Sequence, residues 1–174
     1  MRELKRVIEA LLFAHGDPLS LRDLEKVLPE WPRSEIKRAL DELLKDYRRW
    51  GLSFTLQEVA GGFQFRTLPE YAQWIKRLRK VTPIKLSRAA LETLAIVAYR
   101  QPVSRGEIEQ IRGVDSGWVI GSLMEKGLIK PVGRKEAPGR PLLYGTTKKF
   151  LQVFGLKSLK DLPSLRELQS LRGS

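Results

Sequence analysis

The chain has 174 residues, 42% hydrophobic and 30% charged, with no cysteine and a net charge of +12. That length holds one ordinary domain or two small ones, and the composition is that of a soluble globular protein. Disulfides and thiolate chemistry are excluded, and no apolar run approaches the roughly 18 residues of a membrane span. The opening stretch, MRELKRVIEALLFAHG, carries charges on both sides with Glu9 inside it, unlike a signal peptide. These features fit a cytosolic protein. The positive balance suits contact with nucleic acid or another acidic partner. It equally suits a surface rich in Lys, Arg and Glu of the thermophile kind.

Leu4, Val7, Ile8, Leu11 and Leu12 recur at helical spacing and predict a helix over Leu4 to His15. Ala10, Phe13 and Ala14 widen its apolar face beyond what one small core needs, so part of that face is expected at a contact between two copies. Gly16-Asp17-Pro18 stops the helix, and Ser20 with Asp23 caps the next, which places Leu24, Val27 and Leu28 inside. Pro29 and Pro32 bracket a turn. Ile36, Ala39, Leu40, Leu43, Leu44 and Tyr47 mark a longer third helix ending near Trp50-Gly51. A hairpin follows, with Gly61-Gly62 as its turn. That register pairs Ala60 with Phe63, Glu58 with Phe65 and Leu56 with Thr67, and puts Phe54, Leu56, Phe63 and Phe65 on one face. Pro69 opens a further helix with Tyr71, Trp74, Ile75 and Leu78.

The pattern then recurs. ALLFAHGDPLSLRDLEKVLP lies over LAIVAYRQPVSRGEIEQIRG at a constant offset of 84, with Pro18 over Pro102, Ser20 over Ser104 and Leu24 over Ile108. Ser87 caps a helix with Leu91, Leu94, Ala95 and Ala98 on one face, and Gln101-Pro102 stops it. Ser104 and Glu107 form a capping box for a helix with Ile108 and Ile111 inward, closed by Gly113. Asp115 or Ser116 caps a third helix with Val119, Ile120, Leu123 and Met124, closed by Gly127. A strand over Leu128 to Val132, a long basic tip GRKEAPGRP and a return strand over Leu142 to Tyr144 make a second hairpin. A short helix over Thr147 to Phe154 closes the unit. Three helices and a hairpin, twice over, predict a mostly helical α+β fold of two tandem winged-helix domains, each with a β-hairpin wing. The expected boundaries are 1–80 for the first domain, 81–86 for a charged linker broken by Pro83, 87–156 for the second domain, and 157–174 for a partly disordered tail with Leu159, Leu162, Leu165 and Leu168 every three residues.

The stretch LSRAALETLAIVAYRQPVSRGEIEQIRGVDS, with GRPLLYGTT and FGLKSLKDLP downstream, resembles the bacterial segregation and condensation protein B family over nearly the whole chain. The resemblance implies an elongated subunit that dimerises through its N-terminal domain. It also implies binding to the kleisin, segregation and condensation protein A, and through it to the structural-maintenance-of-chromosomes (SMC) ATPase, for chromosome condensation and partition during cell division. No catalytic activity and no cofactor are implied, and the expected location is the cytoplasm at the nucleoid.

The residues agree that catalysis is not expected. His15 is the only histidine and sits at a helix end, where packing and the helix dipole explain it. No P-loop, G-x-G-x-x-G or Cys/His cluster occurs, so no catalytic, cofactor or metal residue is nominated. The alternative is a winged-helix DNA-binding transcriptional regulator. Against it, the helix SGWVIGSLMEK has no Arg, Asn or Gln to read base edges, whereas Trp118 among small residues suits a protein contact. The dimer contact is assigned to Leu4, Val7, Ile8, Leu11 and Phe13, and the kleisin contact to Tyr99, Arg100, Gln101 and Trp118. Lys76, Arg77, Arg79, Lys80, Arg134, Lys135 and Arg140 fall in two strongly basic stretches suited to phosphate contact without sequence preference.

Overall fold

The computed structural model describes residues 1–79, 84–164 and 167. The chain divides into two compact units, Met1–Val81 with Gly155–Ser174 and Thr82–Phe154. Both are helical with β-hairpins, a mostly helical α+β architecture consistent with winged-helix-like domains. Among the described residues, no helix is long and apolar enough to cross a membrane. Lys80 and half of the expected linker, including Pro83, lie outside the described residues, as do Leu165 and Leu168.

In the first unit, α1 (Arg2–His15) buries Leu4, Ile8 and Leu12, one residue per turn on a single face. Gly16, at φ 75°, turns the chain out of the helix where a side chain would be strained. Ser20 then caps α2 (Leu21–Val27): its hydroxyl accepts the Asp23 amide at 3.2 Å while the Asp23 carboxylate accepts the Ser20 amide. Of the three residues expected inside, Leu24 and Leu28 are buried but Val27 is 57% exposed, because in so short a helix the core takes the i and i+4 positions. Helix α3 (Arg33–Arg49) adds Ile36, Ala39, Leu40 and Leu43 to that core. Full burial of each Leu or Ile contributes roughly 1.5–3 kcal/mol before entropy is counted.

The hairpin of β1 (Phe54–Val59) and β2 (Gly62–Thr67) pairs Leu56 with Phe65, Glu58 with Phe63 and Val59 with Gly62. Its turn is therefore Ala60-Gly61, one residue earlier than the Gly-Gly reading. Both turn residues have positive φ, 52° and 74°, as a type I′ connection requires. Gly62 serves a different purpose: a Cβ there would lie 2.8 Å from the Leu19 backbone. Leu19 pairs with Phe63, its amide donating at 3.0 Å and its carbonyl accepting at 2.8 Å. The expected face survives the error, because moving the turn by one residue changes each pairing by two, which preserves the side of the sheet. Phe54 and Phe65 meet each other at 5.8 Å, and Phe65 meets Tyr47 of α3 at 4.8 Å between ring centroids, locking hairpin to helix.

A short 3₁₀ turn, Pro69–Tyr71, leads into α4 (Ala72–Arg79), where Trp74 and Leu78 are 54% and 84% exposed rather than core. Residues 156 and 157, expected at the end of the second domain and the start of the tail, lie in the first unit. Their carbonyls accept the amides of Ala60 and Gly61 at 2.8 and 2.9 Å.

The second unit repeats the plan with α5 (Arg88–Arg100), β3 (Val103–Ser104), α6 (Arg105–Arg112), α7 (Gly117–Glu125), β4 (Ile129–Arg134), β5 (Leu142–Thr146) and α8 (Lys148–Phe154). The Ser87 hydroxyl caps α5 by accepting the Ala90 amide at 3.2 Å. Leu94, Val97, Ala98, Ile108, Ile120, Leu123 and Leu128 form its interior. Leu91, Ile111 and Met124, expected inward, are 48%, 54% and 37% exposed, and Ala95 is exposed as well. The sheet order is β3-β5-β4, with an irregularity in β4 between Pro131 and Gly133. At the offset of the repeat, Val103 pairs with Tyr144 as Leu19 pairs with Phe63.

The two glycines Gly62 and Gly106 separate space from entropy. Gly62→Ala is expected to cost about 1–3 kcal/mol in urea unfolding, since backbone must move to admit the methyl. Gly106→Ala, inside α6 with nothing within 4 Å, is expected to gain up to about 1 kcal/mol.

Candidate partner-binding surfaces

Leu4 and Ile8 are fully buried inside their own unit, so neither has surface to offer a second chain. Their periodicity was read as interface because core and contact share one helical spacing. Val7 and Leu11 are half-buried against that core. Phe13, 82% exposed, remains open on α1, with Ala10 and Ala14 exposed on the same helix. Apolar side chains left in water at that spacing form a stripe that a partner can cover.

In the second unit, Tyr99 and Arg100 end α5 on the surface, Tyr99 at 38% exposure. Gln101 is occupied within the fold. Its amide nitrogen donates to the Ala98 carbonyl and to the Thr146 hydroxyl, both at 3.1 Å, and its oxygen accepts the Thr146 amide at 2.9 Å. Gln101 thus joins the end of α5 to β5. Arg100 helps line a cleft of about 310 Å³ with Pro102, Val103, Glu107, Gln110 and Ile111. Trp118 does not line it. The indole stands 79% exposed on the first turn of α7, and above Gly121, one turn on, there is open space.

The α6–α7 corner that presents Trp118 is fastened by charge. Glu109 accepts the Ser116 amide at 3.0 Å and the Arg105 guanidinium at 2.6 Å, and these bonds hold its carboxyl below the usual range. Arg105 also pairs with Asp115, whose other oxygen accepts the Gly117 amide at 3.1 Å. Ser116 occupies the cap position of α7 without a side-chain cap bond, its hydroxyl turned to the Val114 carbonyl, while Asp115 holds the first amide of the helix. A Cβ at Gly117 would stand 2.8 Å from the Arg105 guanidinium, so a side chain there would displace that group.

The basic residues divide. Lys76 and Arg77 on α4 are exposed, as are Arg134 and Arg140 at the second wing. Arg134 donates to the Arg140 carbonyl at 3.0 Å, and Arg140 adopts φ 40°, a strained value for a side chain of its size. Lys135 is committed to Glu107 at 2.7 Å. That bond, with those from Ser104, pushes the Glu107 carboxyl down to about 2.

Sequence reasoning missed a third surface, a cleft of about 420 Å³ in the first unit lined by Tyr47, Leu52, Leu56, Glu58 and Leu68 together with Lys157. Nothing in local pattern joins Lys157 to a hairpin a hundred residues earlier in the chain. No group of three or more His, Cys, Asp or Glu among the described residues is placed to hold a metal. His15 donates from Nδ1 to the Asp17 carbonyl at 2.9 Å, a helix-end contact.

Residues 6–165 match the family described as Segregation and condensation complex subunit ScpB. Segregation and condensation protein B of Syntrophotalea carbinolica is 52% identical over 97% of this chain and 85% of its own length. The homolog from Coxiella burnetii is 47% identical over 96% of this chain and 81% of its own length. Among solved structures, ScpB from Mycobacterium tuberculosis is 35% identical over 89% of this chain and 96% of that one, with a TM-score of 0.41.

The Glu107 geometry carries a pH dependence. A carboxyl held lower in the folded than in the unfolded state stabilises the fold above its unfolded value, and that stability is lost as pH falls. Urea unfolding of the second unit is therefore expected to weaken as pH drops from about 4.5 toward 2, and Lys135→Ala should flatten that slope.

Proposed function

Because the chain belongs to the ScpB family, the non-enzymatic accessory subunits of condensin-like complexes, we propose that it works as a dimeric adaptor of two tandem winged-helix domains that binds the kleisin, segregation and condensation protein A. Through the kleisin it meets the SMC ATPase, at the nucleoid in the cytoplasm, in chromosome condensation and partition. The observation that carries the reading is the exposed indole of Trp118 beside open space at Gly121, on a corner held rigid by Arg105, Glu109 and Asp115. A bulky aromatic on a fixed helix start, flanked by small residues, is the kind of anchor that protein interfaces concentrate energy in. Arg100, on the neighbouring cleft, and Tyr99 extend the proposed contact.

Dimerisation is assigned to the outer face of α1, through Phe13 with Val7 and Leu11 at its edge. The exposed Lys76, Arg77, Arg134 and Arg140 add phosphate contact without sequence preference, which weakens steeply with salt. The regulator reading finds no support on α7. Its surface positions, Trp118, Gly121, Ser122 and Glu125, include none of the side chains that read base edges.

Two variants test the adaptor. Phe13→Arg should leave circular dichroism unchanged and halve the light-scattering mass. Trp118→Ala should keep the dimer and weaken capture of the kleisin by about thirtyfold or more, the loss expected of an interface anchor. Kleisin binding that is indifferent to Trp118 would move the contact off α7. A chain that ignores the kleisin but prefers one duplex among many at physiological salt would replace the adaptor with the regulator.

A further inference from the structure

The first wing ends in a two-residue turn, and such a turn leaves two backbone amides that the hairpin itself does not use. Ala60 and Gly61 point theirs at the carbonyls of Leu156 and Lys157, at 2.8 and 2.9 Å. The same segment adds a side-chain tie, Lys157 to Glu58 at 3.2 Å. It is also shaped to make these contacts. Gly155, at φ 66°, sets the corner by which the chain enters, and the Asp161 carboxylate gathers the amides of Lys157 and Ser158 at 2.8 and 3.1 Å. The carbonyls of residues 156 and 157 thereby face away from their own loop and toward the wing.

We propose that residues 155–161 are a detachable strap on the first wing, which caps the two turn amides and must leave before any other chain can bond them. The contact has the character of a latch rather than of core. Its polar contacts include two backbone hydrogen bonds and one ion pair whose partners are 56% and 40% exposed, and each such bond nets only about 1 kcal/mol in water. Opening at that level belongs to the low-stability end of local motions. Lys157 also forms part of the wall of the cleft beside Tyr47 and Leu56, so release of the strap widens that cleft as it frees the turn.

Amide hydrogen exchange of the full chain, followed residue by residue, tests the strap. Asp161→Ala unshapes it and Gly155→Val strains its corner. In both variants the Ala60 and Gly61 amides should exchange about tenfold faster or more, with the amides of the β1–β2 ladder unchanged. Lys157→Glu should do the same, and adding Glu58→Lys should restore slow exchange by reversing the pair. Unchanged exchange at Ala60 and Gly61 in all three single variants overturns the proposal. So does joint loss of protection along the whole ladder, because the segment would then be a fixed part of the core and not a strap.

Discussion

Each unit depends on one short crossing of the chain, in which one or two residues pair with the wing and a helix starts directly after them. Leu19 exchanges both backbone hydrogen bonds with Phe63, and Ser20 then caps α2. Val103 pairs with Tyr144, and Ser104 caps α6. A two-stranded hairpin is marginal in water by itself, and a helix of seven or eight residues is no better. Tied together at adjacent residues, each fixes the other's position, and the apolar faces of both can close on one core. Gly62 follows from this tie, since only a residue without a side chain lets Leu19 come so near.

This dependence also explains what the sequence could and could not disclose. Capping boxes are local, so Ser20 with Asp23 and Ser104 with Glu107 were legible from spacing alone, and the repeat that they anchor gave the fold class. The face of the first hairpin was legible because alternation survives a shift of one residue in the turn. The turn itself was not, because Gly61-Gly62 meets the local rule for a hairpin while Gly62 is claimed by Leu19, forty-three residues away along the chain. The candidate surfaces were harder still. A core residue and an interface residue obey the same helical period, so Leu4 and Phe13 read alike until the neighbours of α1 were in place. Gln101 looked like exposed helix-end chemistry until Thr146 came to meet it.

Where the two units diverge, the divergence falls at the corner that presents Trp118. The position filled by Leu28 in the first unit is Arg112 in the second, and the arginine is buried nearly as deeply, its side chain 8% exposed. Its guanidinium donates to the Ser116 hydroxyl at 2.8 Å and faces Glu92, while Nε has no hydrogen-bond partner. A leucine would serve a core as well or better, since a buried cation must recover its desolvation through its bonds. The arginine holds Ser116, and through Ser116 the entry to α7, from the inside, as Glu109 and Arg105 hold it from the outside. A corner fastened on both sides loses little entropy when a partner closes over its indole.

The charge of +12 reads differently once the joints are known. Several cations are spent where elements meet: Lys135 on Glu107, Lys5 on Asp46, Arg33 on Glu25 and Lys157 on Glu58. Their partners are fixed and near, so their fields are largely cancelled beyond a Debye length of about 8 Å at physiological salt. Lys76, Arg77, Lys130 and Arg140 lie exposed at the surface away from such joints, so their fields reach further into solvent. The second hairpin contains both kinds within six residues, Lys135 paired with Glu107 and Arg140 outside that pair, and the ion pair of the first steadies the loop from which the second projects. A basic wing tip is therefore partly a structural device, and only the remainder of its charge is available to phosphate.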